Sequence, residues 1–126
     1  MTMRTPLKTV RRLGSARGGT DHFWTQRLTA VANLLLVGVI VLIGVKLAGA
    51  DHATVAAALA RPMFALPIML FVLSAAIHMR IGMQVIIEDY VRGEGAKIAL
   101  LMLNTFFAVF VGAASIFALL KLAFGG

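Results

Sequence analysis

The stretch HMRIGMQVIIEDYV, residues 78–91, sets an imidazole and a guanidinium inside an apolar run and closes it on a carboxylate and a phenol. Ionisable groups in hydrocarbon cost roughly 2.5–3.5 kcal/mol each on insertion scales, so His78 and Arg80 need a reason to be there. On an α-helix, positions i, i+4, i+7 and i+11 share a face. From His78 that face runs through Gly82, Val85 and Asp89. Gly82 removes a side chain one turn from the imidazole, and Ser74, one turn the other way, is small. Room for a flat group beside a histidine suits an axial ligand to haem iron, because the macrocycle needs clearance. At 1.5 Å per residue, Asp89 falls about 16 Å along the axis from His78. His78 is then deep in the membrane, while Asp89 and Tyr90 reach its surface. A plainer reading stands beside this one. His78 then hydrogen-bonds a neighbouring helix, and Arg80 snorkels, pairs with a partner subunit or answers a carboxylate. Tyr90 becomes an aromatic-belt residue and Asp89 a solvated acid, while Met79 and Met83 fill packing gaps.

Composition says what must carry these residues. The chain has 126 residues, 60% of them hydrophobic and 13% charged, with a mean hydropathy of +0.94. A soluble domain averages about 45–50% apolar and about 25% charged, so this is not a soluble domain. Three apolar segments stand out at 28–47, 63–87 and 98–124. Each reaches the roughly 20 residues needed to cross a hydrocarbon core about 30 Å thick. Only helices and closed barrels satisfy their own backbone in lipid. The fold class predicted is therefore all-α, an integral membrane protein of three transmembrane helices with a short cytoplasmic N-terminal segment. Residues 1–126 form a single membrane-anchor domain in this reading, with 1–27 as a basic arm leading into the first helix.

Six of the 12 basic residues (Arg4, Lys8, Arg11, Arg12, Arg17, Arg27) precede the first apolar segment. Beside a membrane span they report orientation rather than a nucleic-acid partner, and they predict a cytoplasmic N-terminus. The links, 48–62 and 88–97, are short, so neighbouring helices are antiparallel and 88–97 also faces the cytoplasm. Arg11 and Arg12 ahead of an apolar run ending in AGAD resemble a signal peptide. The run is about 20 residues long, against roughly 7–15 for a signal core, so the first segment is expected to stay in place. With no cysteine there is no disulfide, thiolate metal site, iron–sulfur ligand or covalent haem attachment in the chain. On the third segment, Ala108, Gly112 and Ser115 are small residues that let helices approach closely, and they are assigned to packing.

HMRIGMQVIIEDYV resembles the His-x-x-x-Gly-Met…Asp-Tyr motif of the small hydrophobic membrane anchor subunit of succinate dehydrogenase, respiratory complex II. Upstream, GTDHFWTQRLTAVA is similar to the amphipathic lead-in to the first helix of these subunits, with Arg27 eight residues after Gly19. Thr20 or Asp21 is expected to cap that helix and Trp24 to anchor it at the interface. The likeness covers roughly residues 14–126, and Arg80 departs from it where some relatives carry an aromatic. The resemblance implies that His78 is an axial ligand to haem b, with its mate on another chain, because His22 and His52 lie near the membrane surfaces. It implies that Arg27 pairs with a haem propionate, and that Tyr90 donates its hydroxyl to a ubiquinone carbonyl. Asp89 would orient that site or deliver protons, with Arg92 in electrostatic support. The implied partners are a second membrane anchor of the cytochrome b556 type, an iron–sulfur protein and a flavoprotein, in a bacterial inner membrane. The chain would then be part of an enzyme without holding the whole active site. The alternative on the residues alone is a small structural or proton- or solute-transport membrane protein with a polar helix contact at His78 and Arg80.

Overall fold

The computed structural model describes residues 18–125, and within them the chain is all-α. Its helices are α1 (Gly18–Leu47), α2 (His52–Leu59), α3 (Pro62–Tyr90) and α4 (Glu94–Ala123). Three of them, α1, α3 and α4, are long and apolar enough to cross a membrane. The basic arm up to residue 17 lies outside the described residues, and the remainder of the expected 1–27 segment is already helix.

Each long helix extends beyond the apolar run that marks it at one end or both. Helix α1 begins at Gly18 rather than Leu28. Its polar lead-in stays helical because the backbone bonds continue through it, and Thr25 Oγ1 is satisfied locally by donating to the Asp21 carbonyl at 2.7 Å. Thr20 and Asp21 are therefore inside the helix rather than capping it, and Asp21 acts from the first turn, where a carboxylate opposes the helix dipole. Lys46 does the converse in the last turn, and the chain leaves through Gly49 at φ +78°, a left-handed conformation that glycine adopts without strain.

The link expected over 48–62 contains the short helix α2. Asp51 caps it, its side chain accepting from the Thr54 amide at 3.0 Å. The Thr54 hydroxyl and amide hold the Asp51 carboxyl below the usual carboxylate range. Helix α3 has Pro62 in its first turn, where a missing N–H costs nothing, and carries Pro67 further in. The second link is only residues 91–93, and Lys97 Nζ ties across it by donating to the Glu88 carbonyl at 3.0 Å.

Helix α3 is central. It packs against α1 on one side and α4 on the other, and those two scarcely meet. The α4 face turned to α3 is built from Ala108, Gly112 and Leu119, all buried. A Cβ added at Gly112 would stand 3.6 Å from the Ala76 Cβ, an ordinary contact. Gly112→Ala should therefore fold normally. Gly112→Leu should force α3 and α4 apart at a cost of about 1–3 kcal/mol, read as a lower thermal midpoint in detergent. Most other large apolar side chains, Leu34, Leu35, Phe110 and Phe117 among them, face outward, as expected of surfaces meeting lipid or other membrane subunits.

Candidate functional site

Helix α3 turns His78 toward α1. Its Nδ1 lies 3.1 Å from Thr29 Oγ1, across the α1–α3 seam. Thr29 is buried, at 7% exposure, and its hydroxyl also reaches the Thr25 carbonyl at 2.8 Å and the Gln26 carbonyl at 3.1 Å. Ser74 Oγ, one turn before His78, donates to the Thr29 carbonyl at 3.2 Å. Among the described residues, the other ring nitrogen, Nε2, takes no hydrogen bond.

A cleft of about 470 Å³ runs along this seam, lined by His22, Gln26 and Arg27 from α1 and by His78, Ile81 and Val85 from α3. It brings Arg27 and His78 together. The Arg27 guanidinium carbon lies over the Phe23 ring at 4.4 Å from its centroid, a cation–π contact that leaves N–H groups to bind an anion. Phe23 in turn meets Trp24 edge to face at 5.7 Å. His22, expected only at a membrane surface, lines the same cleft. The space over Gly82 differs from expectation. A Cβ there would stand 3.3 Å from Gln26 Nε2, so the gap one turn from the imidazole is taken by the Gln26 amide rather than left for a flat ligand. Clearance beside His78 comes instead from the open cleft, where Gly19 and Ala30 are the small residues. Gln26 Oε1 and Asn33 Oδ1 are buried without hydrogen-bond partners among the described residues.

Arg80 points the other way. Its Nε donates to Thr105 Oγ1 on α4 at 3.2 Å, and Asn104 Nδ2 donates to the Arg80 carbonyl at 2.9 Å. A hydroxyl on the neighbouring helix, which is none of the partners expected for Arg80, accepts from it, and among the described residues no carboxylate pairs with it. A separate apolar groove of about 330 Å³ between α3 and α4 includes its side chain. Asp89 and Tyr90 end α3, both exposed, Tyr90 at 80%. Neither side chain is hydrogen-bonded within the described residues. They are thus apart from the Arg27–His78 cleft, at the end of the helix that carries His78. No three His, Cys, Asp or Glu side chains gather to hold a metal ion among the described residues, and an axial haem position asks for only one.

Thr29, Gln26, Thr105 and the cleft position of His22 were not singled out from the sequence. A signal existed for part of this. Gln26, Thr29 and Asn33 are spaced i, i+3, i+7, a polar stripe along one face of an otherwise apolar helix.

Against protein-family models, residues 1–113 match the succinate dehydrogenase/fumarate reductase transmembrane subunit family. The chain is 32% identical over 121 residues to the succinate dehydrogenase hydrophobic membrane anchor subunit of Paracoccus denitrificans, an alignment covering 96% of this chain and 93% of that protein. It is 27% identical over 106 residues to the protein of the same name from Rickettsia bellii (strain RML369-C), covering 84% and 85% respectively. No solved structure matches the chain.

Proposed function

Because the chain belongs to the succinate dehydrogenase/fumarate reductase transmembrane subunit family, and is a multi-pass membrane anchor within a dehydrogenase complex rather than a catalytic chain alone, we propose that it helps to bind haem b and to reduce ubiquinone. The observation that carries this reading is the shared cleft of Arg27 and His78. A cation held over the Phe23 ring and an imidazole whose Nε2 takes no hydrogen bond among the described residues are two groups that would hold a haem from one chain: charge-assisted hydrogen bonds to a propionate and a ring nitrogen for the iron. When bound, haem b would supply one-electron chemistry. His78 would hold its iron and Arg27 a propionate, and the remaining iron ligand would come from the neighbouring cytochrome b-type anchor.

Quinone reduction falls to the far end of α3. Tyr90 donates its hydroxyl to a quinone carbonyl oxygen, Asp89 orients the site and passes protons from water, and Arg92 favours the developing negative charge. The exposure of all three suits groups that are completed by other subunits. The N-terminus and the 91–93 link face the cytoplasm of a bacterial inner membrane, where an iron–sulfur protein docks with its flavoprotein and delivers electrons from succinate. Residues 1–126 act as one anchor domain. His78 and Arg80 do make the polar helix contacts of the transport or structural alternative, yet the contact at Nδ1 leaves Nε2 available, so contact and ligation coexist.

The deciding measurement is a reduced-minus-oxidised optical spectrum of the tagged chain, purified with its partners in mild detergent. A low-spin b-type band, partly reducible by succinate, is expected. A featureless spectrum with flavin and iron–sulfur partners present would keep the anchor and remove the haem.

A further inference from the structure

We propose that Thr29 is a positioning residue for His78: its hydroxyl accepts a hydrogen bond from Nδ1–H, holds the ring in the tautomer whose bare nitrogen is Nε2, and so tunes what His78 donates to iron. The inference rests on the haem reading above and extends it to a residue of α1 outside the motif.

The direction of the bond follows from counting protons. A threonine hydroxyl has one hydrogen and two lone pairs. Three acceptors lie within reach: the Thr25 carbonyl at 2.8 Å, the Gln26 carbonyl at 3.1 Å and His78 Nδ1 at 3.1 Å. The proton goes to the nearest, the carbonyl four residues back in the same helix, as threonine hydroxyls in helices commonly do. The lone pairs then remain for His78, and the ring nitrogen must bring the hydrogen. Burial of Thr29 keeps water from competing. The Ser74–Thr29 bond at 3.2 Å is a separate α1–α3 contact one turn away that does not touch the ring.

Metal-bound histidines generally give their second ring N–H to an acceptor, which sets ring orientation and raises ligand basicity; losing that partner costs 10–100-fold. A neutral hydroxyl is a milder acceptor than a carboxylate. It steadies the imidazole without drawing the proton away, which stabilises ferric iron only modestly.

The test is a redox titration of the haem in the whole complex, in native membranes, for wild type, Thr29→Val, Thr29→Ser and Ser74→Ala. Valine keeps the shape and removes the hydroxyl. It is expected to shift the reduced-to-oxidised ratio at a fixed potential toward reduced iron by up to about tenfold, ~59 mV for one electron, the limit reached when the tenfold lower end of the outer-shell affinity range falls on ferric iron alone. Serine restores the hydroxyl and should titrate like wild type. Ser74→Ala removes the other α1–α3 bond without touching the ring, and should leave the midpoint where it was. If the valine chain does not assemble, Thr29→Ala, which cannot overfill the seam, takes its place. A valine or alanine complex with the wild-type midpoint overturns the inference while leaving the haem in place. So does a serine variant that behaves like valine, or an equal shift in Ser74→Ala. A wild-type complex with no b-type band overturns the haem reading and this inference together.

Discussion

Replacing His78 with alanine is expected to abolish the low-spin b-type spectrum of the assembled complex, with haem affinity falling by more than about 100-fold. Outer-shell partners of a ligand alone are worth 10–100-fold, and the ligand itself must exceed them. The helices should still assemble. Thr29 keeps its bond to the Thr25 carbonyl, and Ser74 still donates to the Thr29 carbonyl, so the α1–α3 seam loses one contact of several. The readout is the haem-to-flavin ratio together with the optical difference spectrum. Normal haem content with an unaltered low-spin band would place ligation elsewhere and return His78 to a plain helix contact.

Tyr90→Phe should leave assembly untouched and lower succinate-driven quinone reduction by roughly 100-fold, the lower end of what a positioned proton donor contributes. The ring at the end of α3 is 80% exposed and its hydroxyl bonds nothing within the described residues, so removing one oxygen cannot disturb the fold of this chain. Succinate oxidation by a soluble dye that takes electrons before the membrane subunits should stay at the wild-type rate. That split separates a quinone-site defect from a docking defect. Quinone turnover equal to wild type would sink the role given to Tyr90.

The three spans were legible because hydrocarbon thickness demands long apolar runs, and 28–47, 63–87 and 98–124 supply them. The ends were not. Apolar length reports depth in lipid, whereas the helix continues through polar residues such as those of TDHFWTQR as long as their backbone bonds persist. Helix α2 escaped notice because eight residues are too few to span, although Asp51 ahead of an alanine-rich stretch is a capping signal. Helical periodicity correctly set His78 and Val85 on one cleft wall. Gly82 was misjudged, because a missing side chain invites whatever lies opposite, and only the rotation of α1 determined that this would be Gln26. The hydroxyls beside His78 and Arg80 were hidden for the same reason: spacing within one helix does not say how two helices are turned toward each other.

Pro67 adds a mechanical property to α3. A proline inside a helix removes one backbone bond and crowds the preceding turn, so it is where such a helix bends. It lies on the far side of His78 from Tyr90, and the stretch between those two residues contains no other proline. Bending at Pro67 therefore swings both together as one rod, about 18 Å apart along the axis. With the roles proposed for them, the gap between the redox centre and the quinone donor behaves as a gauge block cut from a single length of backbone. Motion of the surrounding helices can tilt it, but only breaking the hydrogen-bond ladder of α3 would change its length.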